Sequence, residues 1–236
     1  MNTKKNKMAF YTLMSVLVIF MSGFLGLNLY ANDYYRAEDS AISILQTNNS
    51  IEILGNLTIL KGDSDIGIIF YPGAKVEAIA YLPILEKLQA EGLTCVLVEM
   101  PYNMAIFNVN GADDILLEDI SSLSNVERWY MAGHSMGGGM ASSYASKNQD
   151  LIDGLILMGA YVYGDYPPEN ALTIYGTHNS NLEEKIDYTQ NIFIIEGGNH
   201  AQFGNYGKQK GDPDADITPQ NQQDITVEEI VKFVYK

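Results

Sequence analysis

The sequence predicts an α/β domain, a mostly parallel central sheet flanked by helices, preceded by one N-terminal transmembrane helix. Three observations carry this expectation. Continuous apolar runs alternate with amphipathic segments along most of the chain. A pentapeptide of the form G-x-S-x-G, Gly133-His134-Ser135-Met136-Gly137, stands between one such run and a stretch of small residues. Lys4, Lys5 and Lys7 precede an uncharged, strongly apolar segment from residue 8 to about residue 31.

That first segment holds about 24 residues. At about 1.5 Å rise per residue it is long enough to cross a hydrocarbon core of about 30 Å. Lysines before it, with Asp33, Glu38 and Asp39 after it, orient the N-terminus to the cytoplasm and the remainder outside. A cleaved signal peptide is the alternative. It calls for a shorter apolar core and a small residue two positions before Ala31, where Leu29 stands. The expectation is therefore an uncleaved signal anchor over residues 1–34, a polar tether over 35–50 and a globular domain over 51–236. The protein would be single-pass in the cell membrane, its catalytic domain extracytoplasmic.

The elements follow in order. Residues 51–61 alternate apolar and polar around Gly55-Asn56, which predicts an antiparallel hairpin at a sheet edge. Residues 66–71 form a continuous apolar strand. Residues 77–90 place Ile79, Leu82, Leu85 and Leu88 on one helical face, with Pro83 near its start. Residues 93–98 read as a strand and 113–123 as a helix. The run 126–132 is the strand before Ser135, and 137–145 the helix after it. Strands over 154–160, 172–175 and 192–195 complete the sheet, and a helix over 226–235 turns Val227, Ile230, Val231 and Val234 inward. Only about a dozen residues separate the strands ending near 160 and starting near 172, which leaves no room for a cap domain. The site should be shallow and open.

Composition narrows the function. The 236 residues suit one domain plus an appendage, and their apolar content supplies a core without staples. The one cysteine, Cys95, falls in an apolar run and reads as strand packing. A net charge of −15 argues against nucleic acid or anionic membrane surfaces as ligands of the globular part. Three scattered histidines without H-E-x-x-H give no zinc spacing, and no cofactor is called for. Asp212, Asp214 and Asp216 alternate as in a calcium loop but lack its glycine and glutamate spacing, and read as a solvated loop.

The pentapeptide carries the chemistry. A serine between strand and helix sits on a tight turn that lifts its hydroxyl above the sheet edge. Glycines flank it because helix and strand almost touch there. The turn aims the Met136 amide into the start of the helix, where negative charge is favoured. Such a nucleophile elbow implies hydrolysis through a covalent serine intermediate. A dinucleotide-binding loop fails, because its middle glycine would have to stand at Ser135.

The serine needs a base. His134 lies inside the pentapeptide and reads as a packing residue; His178 lies in a polar loop. His200 follows the strand 192–195, at the sheet edge where loops of parallel strands converge, and is the assigned base on topology. Two backbone donors must meet the oxyanion. Met136 supplies one, and the turn after the strand 66–71 supplies the other through Ala74, with Lys75 as the neighbouring candidate.

Three pieces in order, residues 70–77 (Phe-Tyr-Pro-Gly-Ala-Lys-Val-Glu), 133–138 and 197–204 (Gly-Gly-Asn-His-Ala-Gln-Phe-Gly), resemble the compact α/β-hydrolases related to dienelactone hydrolase. More narrowly, they resemble a bacterial, often membrane-anchored branch of that family. The resemblance runs from about residue 45 to the C-terminus and implies the α/β-hydrolase fold. It also implies Ser135 as nucleophile, His200 as base, and the Met136 and Ala74 amides as oxyanion donors. One position departs from the pattern. Where the family carries an aspartate after a Gly-Thr turn, this chain has Gly176-Thr177-His178-Asn179. In serine proteases the equivalent Asp→Asn change costs about 10⁴ in turnover. Three explanations stay open: a substitute carboxylate, Asp165 or less readily Glu183 and Glu184; a slower Ser–His dyad with Asn179 orienting the ring; or lost catalysis. The sequence thus points to a membrane-tethered serine hydrolase of a small-molecule or other acyl substrate, an ester or related bond. The alternative is a catalytically impaired surface domain that binds cell-envelope ligands.

Overall fold

The computed structural model describes residues 2–236, save the side chains of residues 2–6, Ala9 and Ser180. The chain divides into two compact units, residues 1–34 and 35–236. The first is a single helix, α1 (Asn2–Asn32). Its stretch Phe10–Asn32 is long and apolar enough to cross a membrane, a property that membrane anchors and signal sequences share.

The second unit is built on an eight-stranded sheet. Its strands are β1 (Ile51–Leu54), β2 (Leu57–Leu60), β3 (Ile66–Tyr71), β4 (Thr94–Val98), β5 (Arg128–His134), β6 (Gly154–Met158), β7 (Ala171–Gly176) and β8 (Ile192–Ile195). They lie in the order β1-β2-β4-β3-β5-β6-β7-β8. The hairpin β1–β2 is antiparallel and joins β4 antiparallel, while every pairing from β4 to β8 is parallel. This is the predicted mostly parallel sheet. β3, β4 and β6 are buried along their whole length, as continuous apolar strands covered on both faces must be.

The helices of this unit are α2 (Asp39–Thr47), α3 (Leu82–Ala90), α4 (Asp113–Leu116), α5 (Met136–Lys147), α6 (Ser180–Glu183) and α7 (Pro219–Val234). One face of the sheet packs Ile66, Ile68 and Phe70 against Leu85 and Leu88 of α3 and Ile230 and Val234 of α7. The other packs Ile69, Tyr71, Met131 and Leu157 against Ala141, Tyr144 and Ala145 of α5. Between β6 and β7 runs a loop with one 3₁₀ turn, Pro168–Asn170.

Three elements differ from the sequence expectation. The helix expected over 113–123 is only α4 followed by a 3₁₀ turn, Ser121–Leu123. Leu117, 68 % exposed, finds no partner that would extend it. The expected tether contains α2, whose Ala41 and Ile44 join the core and whose first turn is held by Glu38 N–H donating to Asn205 O at 2.8 Å. The last helix begins at Pro219, earlier than its apolar pattern suggests. Thr218 caps it by accepting from Asn221 N–H.

Candidate active site

Ser135 stands between the last residue of β5 and the first of α5, with φ 53° and ψ −123°, a conformation that L residues rarely adopt. Packing enforces it. A Cβ on Gly133 would lie 2.5 Å from the Gly137 carbonyl carbon, and one on Gly137 would run into the carbonyls of Tyr71 and Pro72. Ser135 N–H donates to Met158 O at 3.0 Å, fixing the turn to the neighbouring strand.

His200 reaches the same place from the other end of the chain. It lies in the loop after β8, and its ring covers Gly159, where a Cβ would stand 2.8 Å from Nδ1. Ser135 and His200 line one cavity of about 320 Å³, with Met136, Met140, Tyr161, Tyr163 and Leu182 among its walls. Asn181 and Lys185 also line it.

Side chains from elsewhere fix the loop that carries His200. Gln222 of α7, fully buried, accepts from Asn199 N–H at 3.0 Å and donates to Asn199 O at 2.9 Å, as a strand neighbour would. Asp212 accepts from His200 N–H at 3.2 Å and Ala201 N–H at 2.8 Å. Burial pulls the His200 imidazole below the usual histidine range, while the Asp212 charge opposes that shift.

At His200 Nδ1, 3.0 Å away, is Asn179 Nδ2. With the amide NH₂ facing it, Nδ1 accepts and the ring proton sits on Nε2. To take a proton on Nε2 the ring needs its hydrogen on Nδ1, and for that the amide must present Oδ1. An asparagine serves either tautomer; an aspartate serves only the catalytic one.

The other candidates fall out as follows. Ala74 and Met136 carry amide N–H groups with no hydrogen-bond partner among the described residues, whereas Lys75 N–H donates to Asn103 O at 2.7 Å. His178 pairs with Asp216 at 2.9 Å. Asp165 is exposed and its main-chain oxygen accepts from Gln149; of the three open explanations, the position next to Nδ1 is held by Asn179 and not by a substitute carboxylate. Glu183 and Glu184 are likewise exposed. Asp214 pairs with Lys208, so the three alternating aspartates have three separate tasks. Sequence reasoning missed Asp212 and Gln222 as supports of His200. Asp212 left no periodic signal, but Gln222 and Thr226, polar on the inward face of an amphipathic helix, were a visible one.

The sequence model of the alpha/beta hydrolase family matches residues 67–224, more than half of the chain. The chain belongs to that family. No curated protein matches it. Among solved structures it is similar to dienelactone hydrolase from Anabaena variabilis, at 15 % identity and TM-score 0.52, over 77 % of this chain and 95 % of that one. It is similar to Est1E from Butyrivibrio proteoclasticus with ferulic acid bound, at 13 % identity and TM-score 0.52, over 79 % and 99 %. A third is a soluble variant of monoglyceride lipase from Saccharomyces cerevisiae, at 10 % identity and TM-score 0.52, over 78 % and 93 %. At these identities the likeness concerns the fold.

Proposed function

We propose that the protein is a membrane-tethered serine hydrolase that cleaves an ester or related acyl bond through an acyl-enzyme on Ser135. The carrying observation is the strained Ser135 at the mouth of a cavity it shares with His200. His200 takes the Ser135 proton as the hydroxyl attacks the carbonyl, and returns it to the leaving group. The Met136 and Ala74 amides, both unpartnered, receive the oxyanion. With its amide turned so that Oδ1 faces Nδ1, Asn179 orients the ring without a charge to stabilise the imidazolium, so turnover is slower than with a carboxylate. The apolar wall of Met136, Met140, Tyr161, Tyr163 and Leu182 suits the acyl group. Residues 1–34 act as the uncleaved anchor, with the lysines cytoplasmic and residues 35–236 outside.

The test uses the full chain in detergent. A fluorophosphonate labels Ser135, short-chain p-nitrophenyl esters are hydrolysed, and Ser135→Ala lowers turnover on the order of 10²-fold, what is left of a full triad's contribution once the acid is an amide. Asn179 at Nδ1 favours the competing reading, an impaired domain that binds cell-envelope ligands. Folded protein that resists the probe until Asn179→Asp is introduced would establish that reading instead.

A further inference from the structure

The reaction above gives no part to the buried imidazole of His134, the residue before the nucleophile. It is 1 % exposed, and both ring nitrogens are engaged. Nδ1 lies 2.7 Å from the Tyr81 hydroxyl, and Nε2 lies 2.9 Å from the main-chain oxygen of His200. Burial, with the His200 ring beside it, holds this imidazole well below the usual histidine range, so it is neutral.

The directions of these bonds follow. A carbonyl only accepts, so Nε2 carries the single ring hydrogen and Nδ1 must accept. The Tyr81 hydroxyl therefore donates to Nδ1, and its oxygen accepts from Gly73 N–H at 3.1 Å. One line of hydrogen bonds runs from Gly73 through Tyr81 and His134 to His200. Its first member is the residue before Ala74; its last is the base.

This line matters more here than where a carboxylate grips the ring. The His200 ring has the neutral Asn179 at Nδ1, while its main chain is gripped from two sides: His134 at the carbonyl, Asp212 at the amide. The His134 and His200 rings also lie against each other, centroids 4.6 Å apart.

We propose that Tyr81 and His134 are positioning residues that hold the Ala74 amide and the His200 imidazole in register about Ser135. The proposal rests on the serine-hydrolase reading, and its test separates the two. Tyr81→Phe removes one oxygen and keeps the ring that packs on Phe70, His134 and Tyr206. In the full chain, kcat for a p-nitrophenyl ester should fall on the order of 10²-fold, with KM unchanged. Affinity for an alkyl boronic acid, which mimics the tetrahedral intermediate on Ser135, should fall by the same factor. His134→Gln, which can still donate to the His200 carbonyl, should retain more activity than His134→Leu; if Tyr81→Phe does not fold, that comparison decides. Wild-type kcat and boronate affinity in folded Tyr81→Phe would overturn the proposal. So would equal losses in the two His134 variants, or a loss that cooling restores. Nuclear magnetic resonance adds an arm independent of turnover, because the Ala74 amide and His200 ring signals should shift in Tyr81→Phe. Unchanged signals overturn the proposal even in an inactive chain, whereas a wild-type chain inert to the fluorophosphonate overturns the hydrolase reading.

Discussion

The turn at Ser135 and the loop around His200 hold the two proposed reacting side chains by opposite means. At the turn, the constraint is steric: Gly133 and Gly137 touch, and the Tyr71 and Pro72 carbonyls leave no room for a Cβ on Gly137. At the loop, side-chain hydrogen bonds hold the backbone, several of them from distant residues. Gln222 lies 23 residues from Asn199, His134 lies 66 from His200, and Asn179 lies 21 from it. A nucleophile placed by close backbone packing tolerates no added atom, whereas a base placed by side-chain hydrogen bonds can be retuned one partner at a time.

Experiments can break or sharpen that contrast. The largest effect should come from Asn179→Asp, which gives Nδ1 a charged acceptor and fixes the catalytic tautomer. kcat for a p-nitrophenyl ester should rise, by up to about 10⁴-fold, the size of the reverse change in serine proteases. No rise would mean that the ring is already oriented by other contacts. Next, Gly137→Ala drives a methyl group into the Tyr71 and Pro72 carbonyls and should destabilise the fold by about 3 kcal/mol, measured by urea denaturation. A milder loss would show the turn to be more compliant than its packing indicates.

On the loop side, Gln222→Leu leaves the Asn199 N–H and C=O buried and unpaired, at a cost of about 2 kcal/mol. Unlike the glycine change, it should leave Ser135 in place, so fluorophosphonate labelling slows while the protein stays folded. The smallest effect concerns pH. The base must be neutral, and burial holds His200 below the free value of about 6.5, so the acid limb of kcat/KM should lie below that pH. Asn179→Asp should move the limb upward, because the new carboxylate favours the imidazolium. Rates measured from about pH 4 to 8 check both the position and the direction of the shift.

The same contrast explains what could be read from the chain. β3 and β8 fall at their expected residues, because apolar runs bounded by polar turns carry their own limits. α2 was hidden in a stretch read as polar tether, since only Ala41 and Ile44 are buried, with Leu45 packed beside them. The helix expected beyond Leu116 breaks at Leu117, which stays exposed, while Ile120 and Leu123 reach the core from a separate 3₁₀ turn. Within the site, His134 was expected to pack, and it does, but its two hydrogen bonds were not foreseen. Asp212, read as a solvated loop residue, accepts from two amides of the His200 loop.

The sequence by itself determined the succession of strands and the sharp turn at Ser135, because apolar periodicity and a strand–turn–helix motif are local properties. Only the tertiary structure decided that an amide rather than Asp165 lies at His200 Nδ1, and that Gln222, Asp212 and His134 hold the loop behind it. Hydrogen bonds from side chains to a distant backbone depend on where folding brings the two together, and they leave no period in the chain for a reader to find.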